Sequence, residues 1–380
     1  MKFVTDFRDP IKIQRAEYFK LSPLPLPVPF KDATGQVRYG SLFGDWVRLY
    51  DADGVCGEGP CTSLVWEYFV PILLKLESMT LNELRTKLYW SIRNFGYQSF
   101  HVRELGALDM ILLDLLSRRS TQPLHRFLGA RKDFACVYKG GGSVLLSDEE
   151  LVNDILRFKS EGYHQTKIKV GGTDDWHLDI KRVEKIRKAV GDNFGIAVDA
   201  NQKWDVDTAF DFMKAVTPLG VSWMEEPIHA YDMEGLQELT ERIADAGIDL
   251  DVAMGESVRS YYEHVQYADH GVRHIQPANA ALWNIDEYMK CKQLADERGL
   301  MLSSGGITFI NVVLGALYDE HQLIEYHQPI MEVIVPYLSL SCRIDDGKFY
   351  LPDVPGTPMR MNFEKLQADG LLQSIQYKYR

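Results

Sequence analysis

Nowhere in this sequence do about 18 apolar residues run without interruption, so no membrane-spanning segment is expected. The opening stretch MKFVTDFRDPIKIQ is broken by Asp6, Arg8, Asp9 and Lys12, which argues against the apolar stretch of a signal peptide. Cysteine is scarce, with five residues (Cys56, Cys61, Cys136, Cys291, Cys342). Only Cys56 and Cys61 are close in sequence, and no His or Cys pair at zinc spacing accompanies them. Free thiols in a reducing cytoplasm are the expectation. Positive charge is in deficit: 42 basic residues face 54 acidic ones, a net charge of −12. Nucleic acid, whose phosphates reward a basic face, is therefore not an expected partner. A Gly-x-Gly-x-x-Gly following a strand is also missing, which weighs against dinucleotide binding. What the chain does have is bulk: 380 residues, 46% hydrophobic and 25% charged, suit one large core plus a smaller domain.

The texture of the chain changes along its length. In residues 1–125, Trp46–Tyr50 and Val55–Cys56 flank the turn Asp51–Ala52–Asp53–Gly54, which predicts a hairpin. Leu105, Leu108, Ile111, Leu112 and Leu115 fall at helical intervals, so this front part reads as an α+β domain. From 126 to 340 a repeat takes over. Short apolar segments at Ala135–Tyr138, Gln165–Val170, Gly195–Val198, Val221–Met224, Leu250–Met254, His274–Gln276, Leu300–Leu302 and Leu323–Tyr326 alternate with helical patterns. One of these helices opens on the capping box of Ser147 and Glu150. Strands and helices alternating at about 25–30 residues make βα units, and eight of them in succession predict closure into a barrel. The tail, 341–380, returns to turn-rich texture at Pro352–Gly356 and is expected to pack against the front domain.

In a parallel barrel chemistry sits at the C-terminal ends of the strands. The second strand carries Lys167–Ile168–Lys169–Val170. Period-two alternation sends Ile168 and Val170 to the helical shell and both lysines inward. The third strand ends at Asp199, the fourth at Glu225–Glu226 and the fifth at Glu256. One acid at a strand tip is unremarkable, but three on consecutive strands converge on one mouth and repel. A hard divalent cation relieves that repulsion, and all-oxygen ligands point to Mg²⁺. Two lysines beside such a cation suit removal of the proton next to a carboxylate, because the ene-diolate that forms is doubly charged. A neighbouring ammonium and the cation should lower one lysine toward a usable base. The simplest assignment makes Lys169 the base, with Lys167 as its electrostatic partner and a contact for the substrate carboxylate.

These residues resemble the enolase superfamily, in its mandelate racemase/muconate lactonizing enzyme-like subgroup. The matching stretches are Thr166–Lys169, Val198–Gln202, Trp223–Pro227 and Gly255–Ser257, with Gly54–Gly59 and Leu108–Asp114 in front and Pro352–Gly356 in the tail. The resemblance implies a modified (β/α)7β TIM-like barrel under an α+β capping domain built from the N-terminal region and the tail. It implies Asp199, Glu225 and Glu256 as Mg²⁺ ligands, Glu226 as an outer group, and Glu325 on the eighth strand as a catalytic residue that hydrogen-bonds the enediolate. Glu325 reads equally as a strand-end acid paired with a neighbouring base. A homo-oligomer is implied too.

The departures narrow the chemistry. Mandelate racemase-like members pair an Asp on the sixth strand with a His on the seventh as a second base. Ala278 and Gly305 stand at those positions, and the sixth-strand Lys of related lactonising enzymes is missing. His327 shares a strand face with Glu325, His229 follows the fourth strand, and Tyr138 ends the first; each reads first as structural or as surface. His164 reads as solvated, and Trp204 and Trp283 as core. Without a second base, racemisation is disfavoured. The leading expectation is dehydration of a sugar acid to a 2-keto-3-deoxy acid. A cycloisomerase opening an anhydro ring or lactone by the same enolisation is the alternative. A metal- and sugar-acid-binding protein without turnover is the alternative of another class.

Overall fold

The computed structural model describes residues 2–26, 30–35, 37–38, 44–278, 282–305, 308–340 and 343–380, and for 37–38 and 308–310 the backbone only. Cys342 of the sequence reading lies outside the described residues.

The eight expected strands form, in chain order, at Phe134–Gly140, Gln165–Lys169, Gly195–Asp199, Val221–Glu225, Asp251–Met254, His274–Ile275, Met301–Ser304 and Leu323–His327. Each pairs in parallel with the next, and the eighth returns to the first through Glu325 opposite Tyr138 and His327 opposite Gly140, closing the barrel. The alternation is physical. Ile168, Ile196, Val198, Met224, Val252 and Met254 pack outward against the helices. Tyr138, Ala197, Trp223 and Ala253 fill the barrel interior below the mouth. Inward positions nearer the strand ends are polar and buried: Lys167, Lys169, Asp199, Glu225, Gln276, Ser303 and Glu325.

In front of the barrel, strands Ile13–Leu21, Asp45–Asp51 and Cys56–Cys61 make an antiparallel sheet, and Leu372–Tyr379 of the tail completes it beside Ile13–Leu21. The hairpin turn is tied by Asp51, whose Oδ1 accepts from the amides of Asp53 and Val55. This sheet packs on the long helix Phe100–Arg119. Not all of the tail joins the cap. Arg343–Asp345 and Lys348–Tyr350 form a hairpin whose second strand pairs antiparallel with the first barrel strand. The Pro352–Gly356 segment is held by the Leu124 amide donating to the Gly356 carbonyl and the Thr357 amide donating to Asp114. Cap and tail thus share one core with half of the barrel shell. Among the described residues no helix is long and apolar enough to cross a membrane.

Candidate active site at the barrel mouth

The second to fifth strands are in register where it matters: Lys169 lies opposite Asp199, Asp199 opposite Glu225, and Glu225 opposite Ala253. Inward side chains of these strands meet as neighbours although they are far apart in sequence. Lys167 Nζ sits 2.6 Å from Glu225 Oε2, 3.4 Å from Asp199 Oδ2 and 3.3 Å from Glu325 Oε1. Lys169 pairs with Asp199. Lys167 is 1% exposed and Lys169 6%, so Lys169 is the ammonium nearer solvent. Glu256 lies half-buried at the rim, with Asn201 Nδ2 3.4 Å from its Oε1. Glu226 turns elsewhere and accepts from Ser257 Oγ at 2.6 Å and Gln202 Nε2 at 2.9 Å.

Burial would push both lysines down, but the acids outweigh it. Glu225 and Glu325 hold Lys167 well above the usual range, and Asp199 holds Lys169 above it. Without a cation the nearest charges are carboxylates, and they outweigh the second ammonium; the sequence expectation of a lowered lysine requires the cation as well. The acids divide in turn. Burial and the neighbouring acids Asp199, Glu256 and Glu325 push Glu225 up to about 8, Lys167 opposing. Burial and Asp199 also raise Glu256. Asp199 and Glu325 stay below the usual range because the lysines overcome burial. With all four carboxyls (Asp199, Glu225, Glu256, Glu325) ionised they would outnumber the two ammoniums by two charges, and the rise of Glu225 and Glu256 is the cost of that excess.

Among the described residues no three His, Cys, Asp or Glu side chains converge tightly enough to hold a metal ion, since Lys167 and Lys169 draw the oxygens of Glu225 and Asp199 to themselves. In chemistry and charge, however, Asp199, Glu225 and Glu256 fit a hard divalent cation: all-oxygen donors, on adjacent strand ends, two positive charges short.

The other candidates separate. Glu325 reaches Lys167, and His327 sits one inward position beyond it, with Phe30 of the cap edge-on at 5.1 Å. Ala278 is buried, and Gly305 lies close enough to Glu325 that a Cβ there would stand 3.1 Å from Oε2. Tyr138 is buried beneath Lys167 in the barrel floor. His229 is exposed beside Tyr231, and His164 is exposed and paired with Asp346. Trp204 packs against Phe212 in the helical shell, and Trp283 against Phe3 and Tyr89 in the cap core.

Sequence reasoning missed a buried relay behind the acids. Gln276 Nε2 donates to Glu225 Oε2 at 2.9 Å and lies 3.2 Å from Ser303 Oγ, which meets His274 Nε2 at 2.8 Å. Burial, with help from Lys167, lowers His274 to about 3, so its imidazole is neutral. The signal available was period two: His274 and Gln276 alternate with Ile275 and so share the inner face.

Comparisons with known proteins agree with this geometry. The family described as enolase C-terminal domain-like matches residues 150–365. The L-talarate/galactarate dehydratase of Salmonella typhimurium is 28% identical over 75% of this chain and 69% of its own. The 3,6-anhydro-alpha-L-galactonate cycloisomerase of Streptomyces coelicolor is 26% identical over 90% of this chain and 95% of its own. The crystal structure of L-talarate dehydratase from Polaromonas sp. JS666, complexed with Mg and L-glucarate, superposes with a TM-score of 0.83 at 26% identity, covering 97% of this chain and 99% of that one. The chain is an enzyme of the enolase superfamily, in its mandelate racemase/muconate lactonizing enzyme-like branch.

Proposed function

We propose that the chain is a Mg²⁺-dependent acid-sugar dehydratase, holding the cation through Asp199, Glu225 and Glu256 and using Lys169 as the base. The observation that carries the reading is one-sided. A lysine is fixed at the mouth on the second strand, while among the described residues the mouth ends of the sixth and seventh strands carry Ala278 and Gly305, neither able to accept a proton. The relatives described above, a dehydratase of talarate and galactarate and a structure holding Mg and L-glucarate, support the substrate class and the metal.

In this reading the substrate carboxylate lies against Lys167, which stays charged between Glu225 and Glu325. Lys169, the more exposed of the two, first gives its ammonium proton to solvent and then, as the neutral amine, takes the proton from C2. Asp199, Glu225 and Glu256 would hold Mg²⁺, which would supply positive charge to stabilise the enediolate. Gln276 fixes one oxygen of Glu225 from behind, and Glu325 is placed to hydrogen-bond the enediolate. Return of the electron pair expels the C3 hydroxyl and leaves an enol, which becomes the 2-keto-3-deoxy acid. A single base suffices for that sequence, whereas racemisation needs one on each face.

Cycloisomerisation is the second reading, favoured by the near-complete mutual coverage with the anhydrogalactonate enzyme. A screen of galactarate, L-talarate, L-glucarate and 3,6-anhydro-L-galactonate with Mg²⁺ in D₂O separates the two. Loss of water with a 2-keto acid product supports dehydration, and a product of unchanged formula from the anhydro acid supports cycloisomerisation. Accumulation of the C2 epimer without keto acid would overturn the one-base mechanism.

A further inference from the structure

The elimination needs an acid as well as a base, because hydroxide leaves far less readily than water. We propose that His327 is that catalytic acid, delivering a proton to the C3 hydroxyl as it departs. The proposal rests on the dehydratase reading above.

Backbone alternation fixes where His327 points. On the eighth strand Ile324 packs into the outer core, and Tyr326 meets the rings of Phe158 and Tyr163 on the helical side. Glu325 and His327 therefore face inward. Glu325 defines the depth, since its Oε1 lies 3.3 Å from Lys167 Nζ. His327 is the next inward residue toward the mouth, roughly 7 Å further along the strand at two residues of rise.

Between the eighth strand and the lysine strand runs only the first strand, and its tip is bare. His327 is paired with Gly140, and Gly141 and Gly142 follow. The Lys169 amide donates to the Gly142 carbonyl at 3.0 Å, so this glycine run borders the base directly. A Cβ on Gly140 would stand 2.1 Å from Glu325 Oε1, so a side chain there would collide with the acid beside His327. Lys169 and His327 thus flank a stretch of wall without side chains, where a sugar carbon chain can lie between base and acid. Among the described residues, the mouth ends of the sixth and seventh strands carry Ala278 and Gly305, which supply no rival acid.

The surroundings suit a proton donor. Phe30 covers the imidazole edge-on, and His327 is 8% exposed. That segment of the cap is anchored on the barrel by the Lys31 amide donating to Ser143 Oγ and the Val144 amide donating to the Lys31 carbonyl. Glu325, one inward position deeper on the same strand, stays a carboxylate because Lys167 and His327 overcome its burial.

The step balances. Lys169 gains the C2 proton, the C2 electron pair becomes the C2=C3 bond, and the C3–O bond breaks. The imidazolium proton joins the departing oxygen to make water, and solvent later takes the proton from Lys169 and reprotonates His327. No oxidant or reductant is involved.

The test uses the panel acid that loses water and its 3-deoxy-3-fluoro analogue, whose fluoride departs without a proton. His327→Gln and His327→Asn are compared with the wild type, each checked for native circular dichroism. The expected result is a fall of about 100-fold or more in water elimination, in line with a general acid's contribution. Fluoride elimination and C2 proton exchange in D₂O should stay within roughly threefold, well inside the loss expected of a missing acid. Water elimination unchanged in both variants would overturn the role, as would equal losses for hydroxyl and fluoride, which mark a packing residue. Absence of C2 exchange in the wild type would instead overturn the α-proton reading beneath it.

Discussion

At the scale of single residues, the site is a charge problem solved by neighbours. Glu256 has the weakest protein partner of the three proposed ligands, one amide at 3.4 Å, and is raised by burial and by Asp199. Glu256→Gln should therefore abolish Mg²⁺ binding, read by calorimetry, while the fold persists; retained affinity would remove Glu256 from the ligand set. Lys169→Ala should slow C2 proton exchange by about 100-fold or more, the usual weight of a general base. Full exchange in that variant would sink the base assignment. His274 gives a pH prediction. Its folded value, lowered to about 3 by burial and by Lys167, lies below the ordinary 6.5. The unfolded chain then binds more protons between those values, so this contribution is whole above pH 6.5 and is lost as pH falls toward 3. The loss is at most about 1.4 kcal/mol per pH unit. Guanidinium titrations across that window should show a steep acid limb in the wild type and a shallower one in His274→Gln. Equal slopes would mean His274 is not the group responsible.

Elements carry the site only because of how they pack. The strand Cys56–Cys61 lies so close to the helix Phe100–Arg119 that a Cβ on Gly57 would stand 2.2 Å from the Ile111 carbonyl and 2.7 Å from Leu115 Cβ. Gly57→Ala should force sheet and helix apart at a cost of about 1–3 kcal/mol, as overpacking does. Thermal unfolding measures it, and an unshifted midpoint would contradict the close approach. The sequence stretch Gly54–Gly59 signalled this contact only through its glycines. Other elements were legible directly. Asp148–Ser160 forms as a helix from the residue after its capping box, with Ser147 Oγ and the Glu150 carboxylate exchanging bonds with each other's amides. The inward lysines were legible because period two leaves a strand no other choice once Ile168 and Val170 are outside.

The whole molecule depends on the cap staying seated. Asp109, on the long cap helix, accepts from Arg85 Nε at 2.6 Å and Nη2 at 2.9 Å, and also from the Ile285 amide at the start of the helix that follows the sixth barrel strand. Both charged side chains are 3% exposed. Asp109→Ala leaves Arg85 buried without its charged partner and the Ile285 amide without its acceptor, which should cost about 3–5 kcal/mol. The checking measurement is the thermal midpoint together with protease sensitivity of the cap; a variant as stable as wild type would show the latch to be dispensable.

By itself the sequence determined which residues face the barrel interior and which strand ends carry acid, because alternation and turn chemistry are local properties of the chain. Only the tertiary structure decided who meets whom. Lys167 and Glu225 are 58 positions apart, and barrel closure alone sets the eighth strand beside the first, bringing Glu325 to Lys167. The relay from His274 through Ser303 to Gln276, and the carboxylates' hold on both lysines, depend on distances across the barrel. Electrostatic energies in a buried site change steeply with those distances, and no local pattern encodes them.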